Sequence, residues 1–265
     1  GVSLFNSEIC ENRRDPVMQN RSSLLMLGAV CTLIGVAHAP PADAQFLSLG
    51  ETYLRGDLGF SWAKDAEIVD KNFGLDGFIF DSSGTGPGVV NDIGSSYVLG
   101  IGMGVRLAPQ FRGDVVYSYR GGYELDDTDQ FGDSFSGDVK SHSVMANLYW
   151  DIPLQMASFQ PFVGGGIGWA GNHMKDISTT DGGTFLLPEG ETSNFAWQAM
   201  AGVSFAVSQQ AAVDVFYRYF DGGKLQVEEG PVLFDDGTPA GPYTGARGEL
   251  NAHELMLSLR WTLGP

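Results

Sequence analysis

The stretch from Tyr97 to Leu107, YVLGIGMGVRL, alternates large apolar residues with small or polar ones at every second position. The apolar set is Tyr97, Leu99, Ile101, Met103, Val105 and Leu107, and the other set includes Gly100, Gly102, Gly104 and Arg106. A period of two is that of a β-strand with one apolar face and one polar or small face. The stretch therefore predicts a strand whose two faces meet different surroundings.

The same alternation recurs along the chain and predicts eight strands. They cover about residues 53–64, 95–107, 111–123, 141–152, 159–172, 195–207, 211–220 and 252–263. The connections between them alternate long and short, starting with a long one. Short periplasmic turns and long external loops are typical of outer-membrane barrels. We therefore predict an all-β fold, an eight-stranded antiparallel up-and-down transmembrane β-barrel; a soluble β-sandwich is the alternative, in which no such order is expected.

Composition excludes several other classes of protein. The chain has 265 residues, of which 43% are hydrophobic, and a formal net charge of −17. Such an acidic chain disfavours nucleic acid as a partner, because phosphates need a basic footprint. No apolar run of about 18 residues follows the leader, so no transmembrane helix is expected. Cys10 and Cys31 both lie near the N-terminus, so we expect neither a disulfide nor a thiolate metal site beyond them, and no cofactor is predicted.

The N-terminal region predicts export. Residues 18–44 have the three parts of a signal peptide: Arg21 in a positive region, an apolar core at Leu24–Val36, and the small-x-small site Ala42-Asp43-Ala44. Residues 1–17 contain no Met and are interpreted as an overlong gene model or an extension of the leader. The barrel domain is then 45–265. The expected location is the outer membrane of a Gram-negative bacterium, reached through a cleaved signal peptide.

The inward faces of the predicted strands carry charges of both signs. The predicted lumen network, assigned a structural role, consists of Arg55, Asp57, Arg106, Arg112, Asp114, Arg120, Asp214, Arg218, Glu254 and Arg260. Eight strands enclose a space only just wide enough for side chains. Each unpaired buried ion would cost several kcal/mol, so these groups should pair. A packed polar core is favoured over a gated ion path.

The outward faces carry aromatic residues towards the strand ends. Trp62, Tyr97, Tyr123, Trp150, Phe195 and Trp261 are predicted to form the interfacial girdles. The histidines of the mature chain, His142, His173 and His253, are expected near the external rim. A metal site there lacks the close spacing that ligands need. Ser141-His142-Ser143 suggests a nucleophile beside a base only loosely, and no catalytic residue is predicted.

The long loops hold most of the acidic residues. A solvated surface is the simpler interpretation. The sharper one is that carboxylates bind divalent cations, which bridge to anionic lipopolysaccharide. Outer-membrane lipids and lipopolysaccharide are therefore the expected partners.

Several segments resemble one known family: TYLRGDLGFSW, QPFVGGGIGWAGN, WQAMAGVSFAVSQQAAVDVFYRYFDGG and ELMLSLRWTL. They are similar to the opacity-antigen and OmpA-like outer-membrane barrels, often called porin-family proteins in alphaproteobacteria. The resemblance spans nearly all of residues 50–263, and Tyr217-Arg218-Tyr219 before Asp221 is its most distinctive piece. It implies an eight-stranded barrel inserted by the barrel-insertion machinery, with Trp261 as the candidate for the C-terminal aromatic residue that this machinery reads.

The expected function is structural, envelope-maintaining or surface-interacting, and the resemblance implies no reaction. Two alternatives stay open on the sequence. One is a narrow, porin-like diffusion channel. The other is a barrel enzyme that hydrolyses lipid or peptide.

Overall fold

The computed structural model describes residues 50–70, 90–128, 134–154, 159–180, 184–243 and 245–263. The predicted extension (1–17) and signal peptide (18–44) lie outside the described residues. The described strands are β1 (Thr52–Asp70), β2 (Val90–Ala108), β3 (Phe111–Thr128), β4 (Ser134–Asp151), β5 (Gln160–Thr180), β6 (Thr184–Leu186), β7 (Gly190–Ala206), β8 (Ala211–Gln226), β9 (Gly230–Phe234), β10 (Pro239–Tyr243) and β11 (Ala246–Leu263).

The long strands β1 to β5, β7, β8 and β11 form a closed antiparallel barrel. Leu58 of β1 lies at the closure, because its Cα partners are Leu99 in β2 and Leu257 in β11. Closure gives the backbone amides and carbonyls protein partners, as a strand surrounded by hydrocarbon requires. The predicted eight-stranded barrel is confirmed.

The barrel is apolar outside and polar inside. Along β11, Leu255, Leu257 and Leu259 are exposed, whereas Glu254 and Ser258 are fully buried. In water this arrangement would expose the apolar residues to solvent, but in a bilayer it places them against lipid and shields the polar ones. Among the described residues, no helix has the length and apolar character needed to cross a bilayer.

The two ends of the barrel differ. At one end β2 and β3 are joined through Pro109-Gln110, and β7 and β8 through 207–210, where the Ser208 hydroxyl accepts from the Ala211 amide at 3.0 Å. At the other end the strands run further than the alternation predicts: β5 continues to Thr180 and β11 begins at Ala246. Long connections mark the external end of an outer-membrane barrel. Parts of the predicted long loops are therefore strand.

A β-bulge in β3 corrects one predicted orientation. The register between β3 and β4 shifts between Arg120 and Tyr123, and Gly122 has a φ of 83°. The extra residue reverses the alternation beyond it. Tyr123, predicted to lie in the outer girdle, is consequently buried inside the barrel.

Towards the external end, a cluster of buried apolar side chains fills the barrel interior. We call this cluster the external core; it comprises Ala63, Tyr123, Val139, Met145, Ala170, Met174, Ile177, Leu187, Ala196, Phe220, Leu225, Val227, Val232, Tyr243, Ala246, Leu250 and Ala252. The short strands extend the barrel wall at this end, because β9 pairs with both β6 and β10. Between β8 and β9, the Glu228 amide donates to the Glu189 carbonyl at 3.3 Å. The interior thus changes from charged to apolar in the external direction.

Candidate functional site: the lumen and the external girdle

The side chains of the predicted lumen network point into the barrel and, apart from that of Arg106, are buried. Arg106 lies near the end of β2, at the periplasmic mouth, and 38% of its side chain is exposed. Its Nη1 is 3.6 Å from Asp151 Oδ2, and its Nε is 3.9 Å from Glu51 Oε2. The alternation places Arg106 on the inward face, but the strand ends too soon for neighbours to cover it. Buried contacts join the other residues in three layers.

The periplasmic layer is centred on Asp214. Arg260 holds this carboxylate with two hydrogen bonds, from Nε to Oδ2 at 2.6 Å and from Nη2 to Oδ1 at 3.0 Å. Arg112 donates from Nη1 to Asp214 Oδ2 at 3.3 Å and from Nε to Asp151 Oδ1 at 3.0 Å. Two-bond contacts between a guanidinium and a carboxylate are among the stronger hydrogen bonds in proteins.

The middle layer is centred on Arg55. Its Nε donates to Asp57 Oδ1 at 3.0 Å, and its Nη1 donates to Asp114 Oδ2 at 2.8 Å and to the Tyr149 hydroxyl at 2.7 Å. Asn147 Nδ2 donates to the other oxygen of Asp114 at 2.8 Å. Each oxygen of Asp114 therefore has a donor from a different strand.

The outer layer is centred on Glu254. Arg120 Nε donates to Oε1 at 2.7 Å, and Arg218 Nε donates to Oε2. The Ser61 hydroxyl also donates to Oε1 at 3.2 Å, and the Arg120 guanidinium lies 3.5 Å above the centre of the Phe220 ring. The face of an aromatic ring attracts a cation, so the Phe220 ring stabilises the guanidinium where water does not reach it.

Two of these contacts cross the whole lumen. In the ring of barrel strands, β3 and β8 are separated by three strands on either side. The Arg112–Asp214 and Arg120–Phe220 contacts nevertheless join these two strands directly. Side chains that meet across the full diameter occupy the centre of the lumen at those levels.

The charges within the layers balance. The buried arginines are Arg55, Arg112, Arg120, Arg218 and Arg260, and the buried carboxylates, equal in number, are Asp57, Asp114, Asp151, Asp214 and Glu254. Pairing at these distances offsets the desolvation of each ion. Asp151 is absent from the predicted lumen network, although it continues the inward alternation of Asn147 and Tyr149, because it lies beside the predicted strand end at about residue 152.

Glycines make room for the large lumen side chains. A Cβ on Gly104 would lie 2.4 Å from the Tyr53 ring, and one on Gly102 would lie 3.2 Å from Arg55 Cγ and 2.7 Å from the Val115 carbonyl oxygen. All three distances are shorter than an ordinary van der Waals contact of a Cβ atom. The glycine-rich face of β2 therefore lets Tyr53 and Arg55 cross into the lumen.

A girdle of rings surrounds the barrel exterior near its external end. Its neighbouring contacts include Trp62 with His253 at 6.2 Å, Tyr119 with His142 at 5.1 Å, Trp169 with Phe195 at 6.3 Å and Trp197 with Tyr219 at 5.3 Å between ring centres. We call this set, together with Phe60, Tyr97, Tyr117, His173 and Tyr217, the external girdle. Trp150 and Trp261 are exposed at the opposite end of the apolar band. Amphipathic rings at both ends indicate the two membrane interfaces.

The histidines and serines near the external rim do not form a catalytic pair. Ser141 and Ser143 are buried on the inward face, whereas the His142 ring lies outside, where its Nδ1 is 2.9 Å from the Tyr117 hydroxyl. Adjacent residues of a strand point to opposite faces, so the sheet separates the hydroxyls from the imidazole. Within the described ranges, no group of three or more His, Cys, Asp or Glu residues is arranged to hold a metal ion.

A closed eight-stranded barrel, apolar outside with rings at both ends and charged inside, defines the class of outer-membrane β-barrels. The chain belongs to the family of the outer membrane protein beta-barrel domain, whose model matches residues 29–262. It is therefore a protein of the bacterial outer membrane.

Comparison with known proteins agrees with this family. The chain is 29% identical over 141 residues to the outer membrane protein PagN of Salmonella typhimurium, across 51% of this chain and 56% of PagN. It is 28% identical over 171 residues to RC1281, a proposed adhesin of Rickettsia conorii, across 62% of this chain and 66% of that protein. The matched parts therefore span just over half of PagN and nearly two thirds of RC1281.

A solved structure has the same fold. The outer membrane protein OprG of Pseudomonas aeruginosa superimposes with a TM-score of 0.53 at 15% identity, over 82% of this chain and 97% of OprG. At that identity the likeness concerns the fold alone.

Proposed function

We propose that this protein is a non-catalytic, non-conducting barrel that anchors an external surface in the outer membrane and acts through contacts made by that surface. The observation that carries the proposal is the Arg112–Asp214 ion pair across the full diameter of the lumen. Ions need a hydrated path to cross a membrane, and this pair, with its neighbours, occupies that path. The barrel is then a rigid support, as the packed polar interior of a small barrel allows.

The external core adds a second barrier of different chemistry. Phe220, Met174 and Leu250 belong to it, and each has at most 1% of its surface exposed. An ion that passed the charged layers would meet closely packed apolar side chains, which cannot replace its hydration shell. A conducting state would require both the ionic layers and the external core to rearrange.

The external extension offers a surface suited to binding. Leu186 on β6 and Phe234 on β9 are 41% and 39% exposed, and acidic residues lie close to them in the chain. At the β9–β10 turn, Thr238 donates through its amide and hydroxyl to Asp236 Oδ1, and these bonds lower the pKa of that carboxyl. Exposed apolar side chains rimmed by polar ones are a common feature of interaction sites. The similarity to a proposed adhesin supports a surface-contact role.

The separation of Ser141 and Ser143 from His142 supports the non-catalytic part of the proposal. A hydrolase needs its nucleophile and base within hydrogen-bond reach. The rim motif that suggested a barrel enzyme does not meet this requirement, and neither a diffusion channel nor an enzyme is favoured by a specific feature of the described residues.

The test measures whether the external surface attaches cells to a partner surface. The protein is expressed in a non-adherent laboratory strain, and attachment of the cells to host-cell monolayers is compared with that of a strain carrying a variant in which residues 231–242 are replaced by a short Gly-Ser turn. We expect attachment by the first strain, reduced attachment by the second, and equal surface levels of folded barrel. If both strains attached no better than the laboratory strain without the protein, the surface-contact role would be contradicted.

A further inference from the structure

The barrel contains an internal repeat. The segment GVRLAPQFRGDVVYSYRGGY at 104–123 matches GVSFAVSQQAAVDVFYRYFDGG at 202–223, and SHSVMANLYW at 141–150 matches AHELMLSLRW at 252–261. The first copy lies on β2, β3 and β4, and the second on β7, β8 and β11. Because β3 and β8 are opposite in the ring, the repeat relates the two halves of the barrel by about half a turn.

The repeat preserves one constellation in the external girdle. Tyr117 corresponds to Tyr217, Tyr119 to Tyr219 and His142 to His253. In the first half Tyr119 is the Cα partner of His142, and the Tyr117 hydroxyl is 2.9 Å from His142 Nδ1. In the second half Tyr219 is the Cα partner of His253, and the Tyr217 hydroxyl bonds to His253 Nδ1. The same pair of contacts thus occurs on opposite sides of the barrel.

The inward faces of the two halves have diverged. Ser143 corresponds to Glu254, Arg120 to Phe220 and Tyr149 to Arg260. Those substitutions build the complementary contacts across the lumen, such as that of Arg120 with Glu254. The two outward tyrosine–histidine pairs share no contact with each other, and the surroundings they have in common are the lipids of the external leaflet. Their shared geometry therefore points to a ligand supplied by the membrane.

The geometry suits an anionic headgroup. When the tyrosine hydroxyl donates to Nδ1, the neutral ring carries its hydrogen on Nε2, and the bond at Nδ1 holds the ring in one orientation. An Nε2–H donor at the level of the girdle meets the headgroup region, where phosphate oxygens are strong acceptors. A positive side chain lies beside His142, because Lys140 is on the same outward face of β4 and is the Cα partner of His173. A negative neighbour in this region is Glu191, which lies close to His173.

We propose that the Tyr117–His142 and Tyr217–His253 pairs are two equivalent sites for phosphate groups of external-leaflet lipid. Each histidine donates from Nε2 to a phosphate oxygen, and each tyrosine positions its histidine. The sites add to the proposed surface role, because they orient the barrel in its membrane and do not depend on what the external extension binds.

His173 is the matched control. It belongs to the same girdle, with its ring centre 5.6 Å from that of His142, and its Nε2 lies 3.8 Å from Glu191 Oε1. It lies on β5 and has no counterpart in the repeat, so the proposal assigns it no site. Replacement of histidine by phenylalanine keeps an aromatic ring in the girdle and removes the ring nitrogens that could bind phosphate.

The experiment is native mass spectrometry of the folded, full-length barrel in detergent with added phosphorylated lipid A or its dephosphorylated form. We expect the unmutated protein to retain one phosphorylated lipid A per tyrosine–histidine pair and to lose this retention with the dephosphorylated form. His142→Phe and His253→Phe should each remove one bound lipid, the double variant both, and His173→Phe none. Tyr117→Phe should weaken retention by about tenfold at one site, as expected for loss of an orienting hydrogen bond.

The unmutated protein alone gives a decisive comparison, even if a variant fails to fold. Equal retention of phosphorylated and dephosphorylated lipid A would overturn the proposal. So would undiminished retention in the folded His142→Phe/His253→Phe double variant, which would place the bound lipid elsewhere on the barrel.

Discussion

Arg112 of β3 and Asp214 of β8 are joined by an ion pair of 3.3 Å, although their strands lie on opposite sides of the barrel. Asp214 is at the same time held by Arg260 on β11, and Arg112 by Asp151 on β4. The barrel wall is therefore tied together through its interior as well as along its strands. This cross-bracing makes stability and closure of the lumen two consequences of the same contacts.

Replacement of Glu254 by alanine should destabilise the barrel strongly. The variant leaves Arg120 and Arg218 buried without their shared carboxylate, and breaking a buried pair costs about 3–5 kcal/mol. The free energy of unfolding in lipid vesicles, measured by urea titration, checks this. Glu249→Ala, on the exposed face of the same strand, should change it by less than about 0.5 kcal/mol. Similar losses in both variants would show that the outer layer contributes no special stability.

The lipid-facing register can be tested on neighbouring residues of β11. Leu257 is 49% exposed on the outside of the barrel, and Ser258 is fully buried inside. Leu257→Arg should cost about 2–4 kcal/mol if the residue lies near the bilayer midplane, because the charge then faces hydrocarbon. Ser258→Ala should cost much less, since the Ser258 hydroxyl has no protein hydrogen-bond partner. Equal unfolding free energies for the two variants in vesicles would place the register off by one residue.

The membrane-embedded part of the fold follows from sequence because one physical rule governs it. Each outward residue there, such as Leu99 or Ile101, meets lipid, so the alternation is strong. Above the girdle the outward face is polar and water-exposed, as at Glu249 and Arg247. The contrast between an apolar outer face and a polar inner face is therefore weaker there, and the alternation predicts loop where β5 and β11 extend.

The candidate site could likewise be predicted from the sequence only in part. Alternation alone places Arg55, Asp114 and Glu254 on the inward face, but it does not say which strands meet across the lumen. The partnership of Arg112 with Asp214 depends on closure of the ring and on the stagger of its strands, which are properties of the whole barrel. Tyr123 shows the other limit: a single bulge at Gly122 reverses its side, and a Gly-Gly pair does not reveal which residue is inserted.

Gly122→Ala tests the bulge. At a φ of 83° an alanine side chain is strained, and the left-handed conformation costs about 1–2 kcal/mol. Gly56→Ala is the matched control, because a Cβ at either position meets no atom within 4 Å. Urea titration should show a loss for Gly122→Ala and little change for Gly56→Ala. A neutral Gly122→Ala would mean that the bulge lies elsewhere in β3.

Epitope tags test the orientation of the barrel. Gly237 lies in the turn between β9 and β10, at the end with long connections, and Gln209 lies in the short turn between β7 and β8. A tag at Gly237 should bind antibody on intact cells, and a tag at Gln209 should bind only after the outer membrane is permeabilised. The reverse pattern would show that the topology is inverted and that the girdle histidines lie in the periplasmic leaflet.

The central claim is that the lumen is filled, and single-channel recording of the purified, unmutated barrel in planar bilayers tests it most directly. The Arg112–Asp214 pair and the external core predict little or no steady conductance. A large, stable pore of nanosiemens scale in the unmutated protein would contradict the packed lumen and would favour a diffusion channel instead.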